Sequence, residues 1–147
     1  MNKYNILYII INIYIILLSP ICAESGNIEP PPKLHMALLM EASSQGRIGM
    51  TAVACVVRNR LERGMDPGLV ALKKKDLESF ARREGPEKRH LAKEIVNKVF
   101  KEGIPDITKG ADHYESVKFK RPWWSKKMKF ITQIGDHIFW DSRRRRR

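Results

Sequence analysis

Residues 48–61 are largely apolar, and over 52–57 (Ala-Val-Ala-Cys-Val-Val) the chain is apolar on almost every face of a helix. A helix with no polar side must be enclosed by other elements, so it belongs at the centre of a small domain. Gly64 ends it. An earlier helix opens near Lys33, just after Pro30-Pro31-Pro32, an extended stretch that cannot be helical. Leu34, Ala37 and Leu38 stand at i, i+3 and i+4, and the next place on that stripe, i+7, holds Glu41. A carboxylate therefore occupies a position where the pattern calls for a core residue.

Farther along, Gly85-Pro86 starts another helix, with Pro86 in its first turn. Leu91, Ala92, Ile95, Val96, Val99 and Phe100 form its apolar stripe, and Gly103 stops it. A short strand is expected over 112–117, a loop with a helical turn over 123–132, and a second strand over 134–140. Residues 65–84 show an Asp66-Pro67-Gly68 turn and a solvated Lys73-Lys74-Lys75 stretch, with no clear element. The whole reads as a mainly helical α+β domain with a small antiparallel β-hairpin or sheet at one end.

Over 6–21 the chain is mostly Ile, Leu and Tyr, and Lys3 is the lone charge among the first 23 residues. With the small Ala23 at a cleavage position, residues 1–23 read as a signal peptide, or as a membrane anchor if it stays uncleaved. Either way the working domain is expected in the periplasm or outside the cell, with no other membrane contact. Cleavage removes Cys22 and leaves Cys55, which reads as a small buried hydrophobe. No Cys-x-x-Cys or His-Glu-x-x-His is present and the four histidines are scattered, so neither a metal nor another cofactor is expected. Lys and Arg outnumber Asp and Glu by 28 to 16, a net charge of +12 that draws the protein to anionic polymers. Export favours envelope polymers over nucleic acid. So does the lack of a basic recognition helix or an aromatic-basic interleaved stretch. The closing arginines, 143–147, read as a solvated tail.

Glu41 is the sharpest chemical clue. Burying an ionised carboxylate is costly, so an acid on an apolar face tends to keep its proton, as a general acid must. The alternative is a structural Glu paired with an Arg at a helix end. Two blocks of sequence bear on the choice. The first runs Glu41-Ala42, Gly49, then Ala52-Val53-Ala54-Cys55-Val56-Val57-Arg58-Asn59-Arg60. The second runs Asp106-Ile107-Thr108-Lys109-Gly110-Ala111-Asp112-His113-Tyr114, then Pro122-Trp123-Trp124, then Ile134-Gly135-Asp136-His137-Ile138-Phe139-Trp140.

In order and spacing these blocks resemble the SleB-type cell-wall hydrolases, which include spore-cortex-lytic enzymes. The resemblance implies a lysozyme-like fold over 33–140, after a Pro-rich linker at 24–32 and before a basic tail at 141–147. It also implies cleavage of peptidoglycan glycan strands, with Glu41 as the catalytic residue. A lytic transglycosylase needs one carboxylate, and no second acid follows Glu41 at a fixed local spacing. Asp106, Asp112, Glu115 and Asp136 remain as bases for a hydrolytic, muramidase route. Thr108, His113, Tyr114, Trp124 and His137 are the candidate substrate-binding groups, Tyr114 by motif match and His113 by adjacency. For His137 a structural hydrogen bond within the sheet is an equal expectation. Asn59 and Arg60 are expected to brace the fold. Family members often carry a Gly and a second acid where this chain has Ser44 and Gln45, and their Gln-Phe-Ser element has only Glu78-Ser79-Phe80 as a counterpart. Two rivals stand beside this reading: a wall-binding protein that keeps the fold without activity, and a basic nucleic-acid-binding protein.

Overall fold

The computed structural model describes residues 28–143. The expected signal peptide, the start of the linker and the end of the Arg tail lie outside the described residues. The fold is α+β. Helix α1 (Leu34–Ala42) leads through a 3-10 turn (Ser43–Gln45) into α2 (Gly46–Glu62). A 3-10 turn at Val70–Lys73, α3 (Leu77–Arg83) and α4 (Pro86–Phe100) follow. Strand β1 (His113–Ser116), a 3-10 turn at Trp123–Lys127, β2 (Lys129–Ile134) and β3 (His137–Asp141) complete the order.

Helix α2 is enclosed because two layers claim different faces of it. Val53, Ala54 and Val57 pack with Leu34 and Leu38 of α1 and with Ile95 and Val99 of α4. Ala52 and Val56 turn the other way, onto Ala111 and Phe139, with Tyr114, Ile131 and Ile134 against them. A fully buried Val or Leu contributes about 1.5–3 kcal/mol, so this one helix carries much of the domain's apolar stabilisation. Cys55 is buried with it, and burial pushes its thiol up to about 11, so it packs as a hydrophobe.

The β region differs from expectation. Three strands form an antiparallel sheet in the order β1-β3-β2. The stretch expected as a loop over 123–132 yields β2 beyond its helical turn. This is an edge strand with a bulge between Phe130 and Thr132, so it shows no clean two-residue alternation in sequence. The second expected strand begins at His137 instead of Ile134, since Gly135-Asp136 forms the β2–β3 turn. Lying between two neighbours, β3 is buried along its whole length. Over 65–84, α3 buries Leu77 and Ala81 a turn apart, a stripe too short to read among charged residues.

Gln45 ties the helices to the sheet. Its amide Nε2 donates to Asp136 Oδ2 at 2.8 Å, and its Oε1 accepts from the Asp136 backbone N–H at 2.9 Å. Two glycines make room for it. A Cβ on Gly49 would lie 2.1 Å from Gln45 Cβ, and one on Gly135 (φ 56°) would lie 2.3 Å from Gln45 Oε1. Gly135→Ala should therefore lose about 1–2 kcal/mol, from its left-handed backbone and from displacing a doubly bonded amide. Urea unfolding measures this. An unchanged midpoint would show that the turn absorbs a side chain freely.

Candidate functional site

Glu41 lies in the last turn of α1, half-buried, and its Oε2 accepts a hydrogen bond from the Tyr114 hydroxyl at 2.9 Å. Burial, reinforced by the negative charge of Glu41, holds the Tyr114 phenol well above its usual range, so it stays a donor. Among the described residues no arginine pairs with Glu41, so the helix-end ion pair is not formed. Tyr114 is set by β1, opposite Phe139 in register, with its ring edge-on to His137 at 5.2 Å.

Glu41 and Tyr114 border a cleft of about 760 Å³. β1 is an edge strand, and residues 112–116 border this cleft. His113, Trp124 and His137 border it too, so four of the five candidate binding residues meet around Glu41. Thr108 does not. It has no exposed surface, and its hydroxyl donates to Asp106 Oδ1 at 2.6 Å while its backbone N–H donates to the same oxygen. Its hydroxyl braces a turn, and the expectation that it lines the cleft is corrected. Of the tryptophan pair, Trp124 is half-buried at the cleft, whereas Trp123 is 72% exposed with Lys127 Nζ 5.5 Å from its ring.

His137 is 6% exposed and its side chain makes no hydrogen bond among the described residues; its Nδ1 is buried without a partner. The structural hydrogen bond expected for it is therefore not made. Burial lowers the pKa of the ring, although Glu41 and Asp136 oppose this, so it is held towards the neutral form.

The other cleft carboxylates have partners, although Glu115 Oε2 is buried without one among the described residues. Asp136 is held by Gln45 and by Lys118 at 2.6 Å. Glu115 accepts from Trp140 Nε1 at 3.1 Å, and burial pushes its carboxyl up. Asp112 accepts from Arg63, His113 and Ser142. Asp106 lies away from the cleft, bound to Asn59 and the Gly110 N–H. Asn59 and Arg60 brace the fold as expected: Asn59 also reaches the Ala111 carbonyl, and Arg60 the carbonyls of Asp66 and Asp112. Arg60 further borders the cleft. No three His, Cys, Asp or Glu side chains cluster as metal ligands among the described residues. Sequence reasoning missed Gln45 as the link to the β2–β3 turn and Asp112 as the partner of His113. The only cues were the Ser44-Gln45 departure and the adjacency of Asp112 to His113.

A family model described as Cell Wall Hydrolase matches residues 44–140. The match takes in β1, β3 and α2 and begins just past Glu41. No curated protein and no solved structure matches the chain.

Burial alone would push the Asp112 carboxyl up, but hydrogen bonds from His113 and Ser142 outweigh it and hold it far below its ordinary 3.8. A depressed carboxylate adds stability that is fully present above its ordinary value and lost as pH falls through it toward the folded value. Asp112→Asn should cost about 2–4 kcal/mol near neutrality, by removing the nearer of the two carboxylates that pair with Arg63 and leaving it only Asp141 at 3.7 Å. It should also flatten the acid-side loss of stability. Urea midpoints followed from neutral pH to pH about 3 test this. Equal acid slopes in wild type and variant would contradict it.

Proposed function

The chain belongs to the cell wall hydrolase family, and we propose that it cuts peptidoglycan glycan strands as a SleB-type lytic transglycosylase. In this reading residues 33–140 form a lysozyme-like catalytic domain exported by residues 1–23 to the periplasm or beyond. The observation that carries the proposal is the Tyr114–Glu41 hydrogen bond at the wall of the cleft. It fixes one carboxylate, between α1 and β1, at the wall of a cleft of about 760 Å³.

The chemistry needs one acid used twice. Protonated Glu41 gives its proton to the bridging oxygen as the bond from that oxygen to the muramic acid C1 breaks. The C6 hydroxyl oxygen of the same sugar then bonds to C1, and its proton returns to Glu41. Tyr114 steadies the carboxylate in its ionised form between the two transfers. Glycosidases that use water pair two carboxylates about 5 Å or more apart. Here Asp112 and Asp136 are each held by a cationic side chain and by further hydrogen bonds, which favours the route without water; Glu115, with Oε2 unpaired among the described residues, is the carboxylate a hydrolytic route would use. The positive field gathers the enzyme on the anionic wall, an attraction that salt weakens.

Release of soluble fragments from purified sacculi tests the proposal. Glu41→Gln should lower it about a thousandfold. Tyr114→Phe should lower it about tenfold, the worth of one hydrogen bond to a charged group, with the fold intact. Release by Glu41→Gln close to the wild-type rate would remove Glu41 from the chemistry.

A further inference from the structure

Asp112 has no exposed side-chain surface, yet it stands at the cleft and gathers several donors. Arg63 Nη1 lies 2.7 Å from its Oδ2, the Ser142 N–H 2.9 Å from its Oδ1, and the Ser142 hydroxyl also donates to Oδ2. The remaining partner is His113 Nδ1, 2.9 Å from Oδ1. Fixed by Arg63 and Ser142, this carboxylate stays ionised and can only accept. Nδ1 of His113 must then be the donor to it, so Nε2 is the ring nitrogen left for a ligand, an acceptor whenever Nδ1 alone carries a proton. The His113 side chain is 25% exposed, borders the cleft, and lies with its ring 5.3 Å from that of Trp124. No described residue hydrogen-bonds Nε2.

An acceptor beside an aromatic face suits a pyranose, whose C–H face packs on the ring while a hydroxyl or acetamido N–H reaches the nitrogen. We propose that Asp112 is a positioning residue that locks His113 as an acceptor, and that His113 and Trp124 form a subsite for an N-acetylated sugar. The identity of the sugar rests on the glycan-cleavage reading. Successive side chains on a strand point to opposite faces, so His113 and the Tyr114–Glu41 pair lie on either side of the β1 edge. The subsite therefore holds a sugar neighbouring the one that reacts, and its loss weakens binding and leaves the chemical step alone.

Nitrogen NMR of the histidine rings in the full chain, with and without an N-acetylglucosamine pentamer, reads the tautomer directly. The expected result is a proton on Nδ1 and none on Nε2, with the Nε2 resonance moving when the pentamer is added. His113→Phe keeps a ring against Trp124 and removes the acceptor. It should weaken pentamer binding and raise KM on sacculi about tenfold, with kcat unchanged. His113→Gln, which returns an acceptor, should recover part of that loss. A proton on Nε2 in the free protein would overturn the role of Asp112. Unchanged pentamer binding by His113→Phe, or none by the wild type, would overturn the subsite. Either result can occur while the wild type still cuts sacculi. A wild type that releases nothing from sacculi would instead overturn the glycan-cleavage reading itself.

Discussion

Helix α2 has a helical layer on one side and a sheet on the other, so apart from Thr51 its polar side chains lie near its ends. Its last turns use that confinement. Arg58 donates to the carbonyls of Val99 and Ile104, Asn59 to that of Ala111, and Arg60 to that of Asp112. Just past the helix, Arg63 donates to the carbonyl of Gly110. Backbone carbonyls drawn into a protein need donors, and here the end of α2 and Arg63 supply them to Ile104, Gly110, Ala111 and Asp112 on the way into β1. The entry point of β1 is thereby set from the centre of the fold, and with it the direction in which Tyr114 points. Loosening that end of α2 would shift Tyr114 relative to Glu41 before it exposed any core.

The cleft is held from its other side by Gln45. An amide both donates to the Asp136 carboxylate and accepts from the Asp136 N–H; a carboxylate at that position would accept from the N–H but repel Asp136. This accounts physically for an amide in place of a carboxylate beside Asp136. Gln45 fixes the contact between the α1–α2 junction and the β2–β3 turn without adding a second charge near Glu41. The acid/base role proposed for Glu41 would benefit from such a frame, because donors already in place need not reorganise during a reaction.

What was legible in the sequence was whatever short-range pattern dictates. The unbroken apolar stretch of α2 announced a central helix, and the break in the α1 stripe marked Glu41. The strand β2 was hidden because it is an edge strand with a bulge, and neither feature leaves a period of two. Thr108 was misplaced because Asp106, two residues before it, captures its hydroxyl and turns it inward, a local preference that outweighs any part in the cleft. The environment of His113 was invisible for the opposite reason: Arg63 and Ser142, which pin its partner Asp112, lie far away along the chain.

The use of a single carboxylate is tested most directly by mass spectrometry of fragments released from sacculi in heavy-oxygen water. Ends closed as 1,6-anhydromuramic acid, free of solvent oxygen, are the expected result. Reducing ends that carry the heavy oxygen would mean that water attacks C1, and that a second group in this cleft shares the work assigned to Glu41.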